Sequence, residues 1–277
     1  MRFLPADVVP ATWPNLPGLP EQPYRSFAGG AVQLWLARPS ECSDVLKSRT
    51  SRALLSSAEA AHCARFADPA DRHRAVLARL LLRQALSQRY PLPLAGWRFA
   101  RDHRGKPALV WPALRLAFNL SHSADLVVCA LGRHCELGVD VEYVAPRERL
   151  LALARRFFSA DECAALGSLS GTAQREAFYD IWTAREAYFK ALGCGLAGFS
   201  DPESSAVAAT TAAGWQRRRV ADIPGYRIAL YWRKEVLAEG RVGGRKCWRP
   251  SVSLNAGHRA VEASRYCAAT SAAGAAS

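Results

Sequence analysis

The chain has 277 residues, of which 50% are hydrophobic and 22% are charged, a composition typical of folded globular proteins and not of disordered ones. No apolar run approaches the ~18 residues that a membrane span needs, and the proline-interrupted start lacks the apolar segment of a secretory signal. The eight cysteines include no CxxC pair, which argues against a zinc site and against a disulfide framework. We therefore expect a cytoplasmic protein with reduced thiols.

The net charge of +13 favours an anionic partner, whether nucleic acid, an anionic membrane surface or an acidic protein. The basic residues are scattered, and their longest run is Arg217–Arg219. A nucleic-acid-binding module would instead cluster them on one element, with aromatic residues interleaved. The charge thus indicates an anionic partner without identifying it.

The first half of the chain predicts strands around one long helix. Residues 1–29 are rich in proline and predict an extended lead-in. A strand at 32–37 is followed by a helical pattern over 71–90, which a proline ends. Short strands are predicted at 97–102 and 116–123.

The second half predicts a similar mixture. Strands at 126–131 and 137–142 are separated by five residues, which predicts a hairpin. A helical block follows over 147–166, and the apolar positions of residues 178–190 recur with a helical period. A further strand is predicted at 226–232.

Strands and helices therefore recur in two successive blocks, 30–135 and 136–254, without a sequence repeat. This pattern favours an α+β fold with two halves over a parallel βαβ fold. Residues 255–277 form an Ala/Ser/Gly-rich tail that we expect to be disordered.

The segment "LGVDVE" is the first candidate site. In a strand, Gly138, Asp140 and Glu142 share one face, because side chains alternate. Two carboxylates beside a glycine form an oxygen-rich site that suits Mg²⁺ and substrate phosphates. An edge strand with a polar, solvated face is the alternative interpretation.

The segment "FYDIWTAREAYFK" is the second candidate. Glu186 and Lys190 lie four residues apart, on one side of a helix whose other side is apolar. Alone, such a pair is usually a solvated salt bridge.

The segment "FNLSHS" is the third candidate site. Its polar residues Asn119, Ser121 and His122 suit a phosphate or a ribose. Ordinary turn chemistry is the alternative interpretation of these residues.

These three motifs, in this order and at these separations, resemble the signature of the 4′-phosphopantetheinyl transferases of the surfactin-synthetase-activating (Sfp) type. The resemblance extends to "FADPADRHRAVLARLLLRQAL", to the turn "RGKP" and to "ARRFFSADE", and it covers about residues 54–199. It implies two pseudo-symmetric halves, each a helix packed on a small antiparallel sheet, with coenzyme A bound between them.

The resemblance also implies an activity. Enzymes of this type are monomers that transfer the phosphopantetheine arm of coenzyme A to a serine of an apo carrier protein, and they release 3′,5′-ADP. The implied partner is an acidic acyl, peptidyl or aryl carrier of fatty-acid, polyketide or nonribosomal-peptide synthesis, and not a nucleic acid or a membrane. A basic enzyme would meet an acidic carrier faster because of electrostatic steering.

Residue by residue, the resemblance places Asp140, Glu142 and Glu186 on the positions that bind Mg²⁺, for which Mn²⁺ is a substitute. Lys190 would contact the pyrophosphate, and Glu186 is our first choice as the base, with Glu142 second. The positions that approach coenzyme A are matched by Arg74, Lys106, Ser121, His122, Arg185 and Lys190, with Arg104 as a weaker candidate.

The chain departs from the family pattern at two places. Arg185 replaces the lysine of the W-x-x-K-E motif, and a planar guanidinium contacts phosphate differently from an ammonium. Glu59 and His62 stand where family members often have lysines, which puts one contact to the 3′-phosphate in doubt, and Arg65 is the candidate to compensate. A Mg²⁺-dependent nuclease and a basic nucleic-acid-binding module remain the alternatives.

Overall fold

The computed structural model describes residues 15–101, 107–193 and 214–234. The predictions for Lys106, Arg104 and the tail therefore lie outside the described residues. The strands are β1 (Arg25–Phe27), β2 (Val32–Ala37), β3 (Arg98–Arg101), β4 (Pro107–Trp111), β5 (Leu116–Ser123), β6 (Leu126–Arg133), β7 (Cys135–Tyr143), β8 (Gln216–Val220) and β9 (Tyr226–Lys234). The helices are α1 (Ser43–Lys47), α2 (Arg49–Arg52), α3 (Ser57–Ala64), α4 (Pro69–Arg89), α5 (Leu150–Phe157), α6 (Ala160–Gly167) and α7 (Gly171–Leu192).

The first sheet has the order β1-β2-β6-β5, and all its neighbours are antiparallel. Helix α4 packs on it, since its leucines share a core with Trp35, Phe118 and Cys129. The predicted long helix is confirmed. It begins after Asp68, whose side chain caps the Ala70 N–H, with Pro69 in its first turn, where a missing N–H costs nothing.

The second sheet has the order β7-β9-β8, and helix α7 packs on it. The face of β7 that carries Leu137, Val139 and Val141 is buried in a core shared with Leu34 of the first sheet. The aromatic side of α7, including Phe178 and Trp182, packs with α5 and α6 instead. Helix α7 ends at Gly193, which adopts a left-handed φ of 68°.

The predicted hairpin between 126–131 and 137–142 is wrong. Both segments are strands, but β6 pairs with β2 and β5, whereas β7 pairs with β9. Because β6 already has a neighbour on each side, it has no free edge for β7. Only His134, with φ of 51°, separates the two strands, and the chain passes there from one sheet to the other.

The predicted helical block at 147–166 consists of two helices, α5 and α6. Ser159 interrupts it by starting a new helix with a capping box, in which its side chain and that of Glu162 each accept a backbone N–H.

The architecture is α+β with small antiparallel sheets, as predicted. The division at 135/136 into two structural halves stays a prediction. Among the described helices, none has both the length and the apolar character needed to cross a membrane.

Candidate active site

The site lies where β5 meets β7, a contact that we call the seam. Three side chains of β5 reach β7: Asn119 Oδ1 accepts the Val139 N–H at 2.9 Å, Ser121 Oγ donates to Asp140 Oδ1 at 2.8 Å, and Ser123 Oγ donates to Glu142 Oε2 at 2.8 Å. Because alternate residues share a face, one side of β5 supplies all three contacts. Side-chain hydrogen bonds thus join the two sheets at the seam.

Gly138 brings helix α7 against the same face of β7. A Cβ atom on Gly138 would lie 2.0 Å from the Ala187 carbonyl oxygen and 2.4 Å from the Ala191 nitrogen, so no larger residue fits there. The close approach of α7 places Glu186 and Lys190 next to Asp140. The glycine in "LGVDVE" therefore admits a helix to the strand.

Lys190 is the cation of the site. Its Nζ atom lies 2.5 Å from Asp140 Oδ1, 3.0 Å from Ser121 Oγ and 3.5 Å from Glu186 Oε2. The pair Glu186–Lys190 is therefore part of a partly buried cluster around the buried Asp140, and not an isolated surface salt bridge. Burial alone would lower the pKa of Lys190, but the carboxylates of Asp140 and Glu186 outweigh burial and raise it.

Burial raises the pKa of all three carboxyl groups, and the charge of Asp140 adds to the shift of both glutamates. Burial and the charges of Asp140 and Glu186 raise the pKa of Glu142 to about 8. Burial and the charge of Asp140 raise the pKa of Glu186 to about 7, although Lys190 and Trp182 oppose this shift. Burial also raises the pKa of Asp140 against the opposing effect of Lys190. These shifts, whose largest cause is burial, indicate that the carboxyl groups lie near one another in a poorly solvated place.

The carboxylates are not yet arranged as metal ligands. In the described ranges, no group of three or more His, Cys, Asp or Glu residues has the geometry of a metal site. Lys190 lies among the acidic groups, and Ser123 holds Glu142. Asp140 Oδ2, however, is buried without a hydrogen-bond partner, which is the state of an oxygen suited to a cation.

Ser121 and His122, predicted together as ligands of coenzyme A, point to opposite faces of β5. Ser121 reaches the carboxylates across the seam, whereas His122 is on the face turned to α4. Burial and the charges of Arg74 and Lys190 lower the pKa of His122 to about 4, so its imidazole is neutral at pH 7. Arg74 is buried near it, donates to the Ala124 carbonyl at 3.0 Å and pairs with Asp71.

The structure does not bring Arg185 to the carboxylates. Its side chain is fully buried on the other side of α7, 2.9 Å from Glu162 Oε2, with its guanidinium over the Phe158 ring. Successive helix residues are about 100° apart, so Arg185 and Glu186 face different neighbours. In this geometry Arg185 supports the packing of α7 on α6, and its predicted contact with coenzyme A stays a prediction.

Sequence reasoning missed one residue of the site, Ser123, although it holds Glu142. Asn119 was predicted to suit a phosphate or a ribose, and in the structure its Oδ1 atom accepts the Val139 N–H of β7. Their spacing was the available signal, because polar residues at 119, 121 and 123 alternate with Leu120 and His122.

Known proteins match both parts of this arrangement. A model described as the 4′-phosphopantetheinyl transferase superfamily matches residues 136–239, and one described as the N-terminal part of a 4′-phosphopantetheinyl transferase matches residues 42–134. The two matches meet where β6 passes into β7.

Three relatives carry the same description. The 4′-phosphopantetheinyl transferase HetI of a Nostoc strain is 35% identical over 187 residues, which are 67% of this chain and 78% of that protein. Sfp of Bacillus subtilis is 36% identical over 135 residues, 48% of this chain and 58% of its own length. AcpT of Escherichia coli is 38% identical over 122 residues, 44% of this chain and 58% of its own length. The chain belongs to the 4′-phosphopantetheinyl transferase superfamily and is an enzyme of this type.

Proposed function

We propose that the enzyme transfers the 4′-phosphopantetheine group of coenzyme A to a serine of an apo carrier protein, with Mg²⁺ and with release of 3′,5′-ADP. The observation that carries this proposal is the meeting of Asp140, Glu142 and Glu186 with Lys190 at the seam. Acidic groups that can hold a cation, beside an ammonium that can bind phosphate, suit the transfer of a phosphoryl group, which depends on alignment and charge neutralisation.

Asp140, Glu142 and Glu186 would hold Mg²⁺, or Mn²⁺ in its place. The buried, unpartnered Oδ2 atom of Asp140 supports this assignment, and carboxylate oxygens are the ligands that Mg²⁺ prefers. When bound, the metal would neutralise charge on the pyrophosphate and on the leaving group. Because the carboxylates are not pre-arranged, we expect the metal to bind most tightly when coenzyme A is also present.

The carrier serine must lose a proton as its oxygen attacks. A bond forms between that oxygen and the β-phosphorus of coenzyme A, and the bond to the bridging oxygen breaks, with its electron pair leaving on 3′,5′-ADP. Glu186 is our candidate to take the proton, since a base works best when its pKa lies near the working pH, and its pKa is about 7. Glu142 remains the second candidate.

Lys190 would bind the pyrophosphate from the carboxylate side of β5. Its contacts to Asp140 and Ser121 orient the ammonium at the point where the metal and the phosphates would meet. His122 and Arg74 would bind the nucleotide end of coenzyme A from the other face of β5. Lys106 keeps its predicted role at the nucleotide as part of this proposal.

The acceptor would be an acidic carrier protein or carrier domain of fatty-acid, polyketide or nonribosomal-peptide synthesis. The net charge of +13 supports an acidic partner, because opposite charges speed the encounter. A monomer is sufficient for this chemistry, since the proposed groups all belong to one chain.

The test incubates the protein with coenzyme A, Mg²⁺ and a panel of apo carriers, and measures the carrier mass. We expect the mass of one phosphopantetheine to be added, and we expect chelation of the metal to stop the addition. A carrier with the acceptor serine changed to alanine is the control. If no carrier gains mass and coenzyme A is not consumed, the proposal fails.

A further inference from the structure

A group of ion pairs lies between α7 and the second sheet, outside the carboxylate site described above. Its centre is Arg227 of β9, whose side chain is only 8% exposed. Arg227 Nη2 lies 2.8 Å from Glu176 Oε1, and its Nε atom lies 3.4 Å from Asp180 Oδ1. Glu176 and Asp180 are four residues apart, so they share one side of α7. Charged groups therefore tie the first half of α7 to β9.

The strand register places these ion pairs next to the site. Arg227 is the cross-strand partner of Glu142, and Ala229 is that of Asp140. Side chains directly opposite each other on antiparallel strands point to one face, with Cβ atoms about 4.5–5.5 Å apart. Ala229 packs against α7, and Arg227 shares its face because alternate residues do. Arg227 therefore stands beside Glu142 while its guanidinium contacts the helix.

Two contacts of α7 with the sheet flank Glu186 along the helix. On one side, the Ala187 carbonyl lies so close to Gly138 that no side chain fits between them. On the other side, Asp180 meets Arg227. The two contacts are seven residues apart, which is about 10 Å along the helix. The first contact fixes one point of α7, and the second limits how far the helix can tilt about that point.

We infer that Arg227 is a positioning residue for the transfer reaction, because its ion pairs with α7 hold Glu186 at a fixed distance from Asp140. The inference rests on the proposed function, in which both carboxylates hold the metal. It adds to that function a residue that acts through the metal ligands without contacting the metal or the substrate. Groups that orient metal ligands in this way commonly affect metal affinity and activity nearly as much as the ligands do.

The test measures metal binding separately from turnover. Wild type, R227M and R227K are titrated with Mn²⁺ in the presence of coenzyme A and without a carrier, and the free Mn²⁺ is measured by electron paramagnetic resonance. R219M is the matched control, because Arg219 pairs with the same Asp180 carboxylate but is 50% exposed, and exposed pairs contribute little. Thermal unfolding shows whether each variant is folded, and carrier labelling gives kcat/KM.

We expect R227M to bind Mn²⁺ ~10- to 100-fold more weakly than wild type, the usual effect of losing a group that orients a metal ligand. Its kcat/KM should fall by a similar factor. R227K keeps the cation and should recover part of both losses, whereas R219M should bind Mn²⁺ as wild type does. D180N removes the partner of Arg227 on the helix and should also weaken Mn²⁺ binding, so it serves as the test if R227M does not fold.

A folded R227M that binds Mn²⁺ as tightly as wild type would overturn the inference, even if its unfolding temperature is lower, because Arg227 would then support only the fold. The same result in D180N would overturn it if R227M does not fold. In both cases the proposed function stands as long as wild type labels a carrier. If wild type neither binds Mn²⁺ with coenzyme A nor labels any carrier, the proposed function fails together with the inference.

Discussion

Lys190 Nζ lies 2.5 Å from Asp140 Oδ1, so the last turn of α7 neutralises a carboxylate that is buried on β7. This contact occupies one oxygen of Asp140 and leaves the other without a hydrogen-bond partner. The ammonium and a divalent cation would therefore compete for the same acidic group, which leads to the first two predictions.

Replacing Asp140 by asparagine should abolish Mg²⁺-dependent transfer. D140N keeps the shape of the side chain and the contact to Ser121, but it removes the charge that would hold the metal. We expect kcat/KM to fall at least ~100-fold, because such charge stabilisation contributes several kcal/mol to the barrier. We expect a similar fall of kcat/KM in E186Q. D44N, on the exposed face of α1, is the control and should keep the wild-type kcat/KM. Normal labelling by both D140N and E186Q would disprove the metal assignment.

Replacing Lys190 by methionine should make the protein depend on metal for its stability. K190M leaves several acidic groups without their internal cation, and breaking a buried ion pair typically costs about 3 kcal/mol or more of unfolding free energy. We expect Mg²⁺ or Mn²⁺ to raise the unfolding temperature of K190M by more than that of wild type, as measured by thermal unfolding. K47M, at an exposed position of α1, is the control. Equal metal effects in K190M and wild type would show that Lys190 and the metal do not compete.

The contact of α7 with β7 should fail if Gly138 acquires a side chain. G138A would place Cβ 2.0 Å from the Ala187 carbonyl oxygen, so the helix must move away from the strand. We expect a loss of about 3 kcal/mol in the free energy of unfolding, measured by denaturant, and a larger loss of transfer activity. G167A in α6 is the matched control, since nothing lies within 4 Å of its added Cβ. Wild-type stability in G138A would contradict the described packing.

Restoring a family-like lysine at position 59 should harm the protein. Burial raises the pKa of Glu59, but its contact with Arg83 outweighs burial and holds the pKa below its usual value. E59K would set two cations against each other beside α4. We expect the free energy of unfolding to fall by about 3 kcal/mol, with E148K as an exposed control. An E59K protein as stable as wild type would mean that this ion pair does not support the fold.

His122 should make stability fall in mild acid. Its pKa is about 4 in the folded chain against an ordinary value of 6.5. Below pH 6.5 the unfolded chain therefore binds a proton that the folded chain does not, and protonation favours unfolding until the pH reaches about 4. As the pH falls from 6.5 to about 4, we expect the free energy of unfolding to decrease more in wild type than in H122Q. H73Q alters an exposed histidine of α4, and its free energy of unfolding should change with pH as that of wild type does.

Much of the fold was predictable because local signals agreed with it. The strand at 32–37 and the helix near 71–90 have clear periodicity and clear stop signals, and the structure has them within a few residues. The hairpin was not predictable in the same way. A short connection between two strands usually means pairing, and here β2 already occupies the edge of β6 that β7 would need.

The part of the site that depends on residue spacing was predictable from the sequence, because spacing is a local signal. The alternation of Gly138, Asp140 and Glu142, and the spacing of Glu186 and Lys190, define which residues share a face. This spacing does not determine which neighbour a helix side chain contacts when two partners are available. Arg185 illustrates this, because its pairing with Glu162 depends on how α6 packs, which is a tertiary contact without a local signature.

The three hydrogen bonds of the seam have a consequence for how this protein can change in evolution. They advance in the same direction along β5 and β7, with hydroxyl and amide groups at every second residue of β5. Inserting or deleting one residue in β5 would turn Leu120 and His122 toward the acidic strand and break all three bonds at once. Insertions and deletions should therefore be confined to the connecting loops, while the register of β5 relative to β7 is kept.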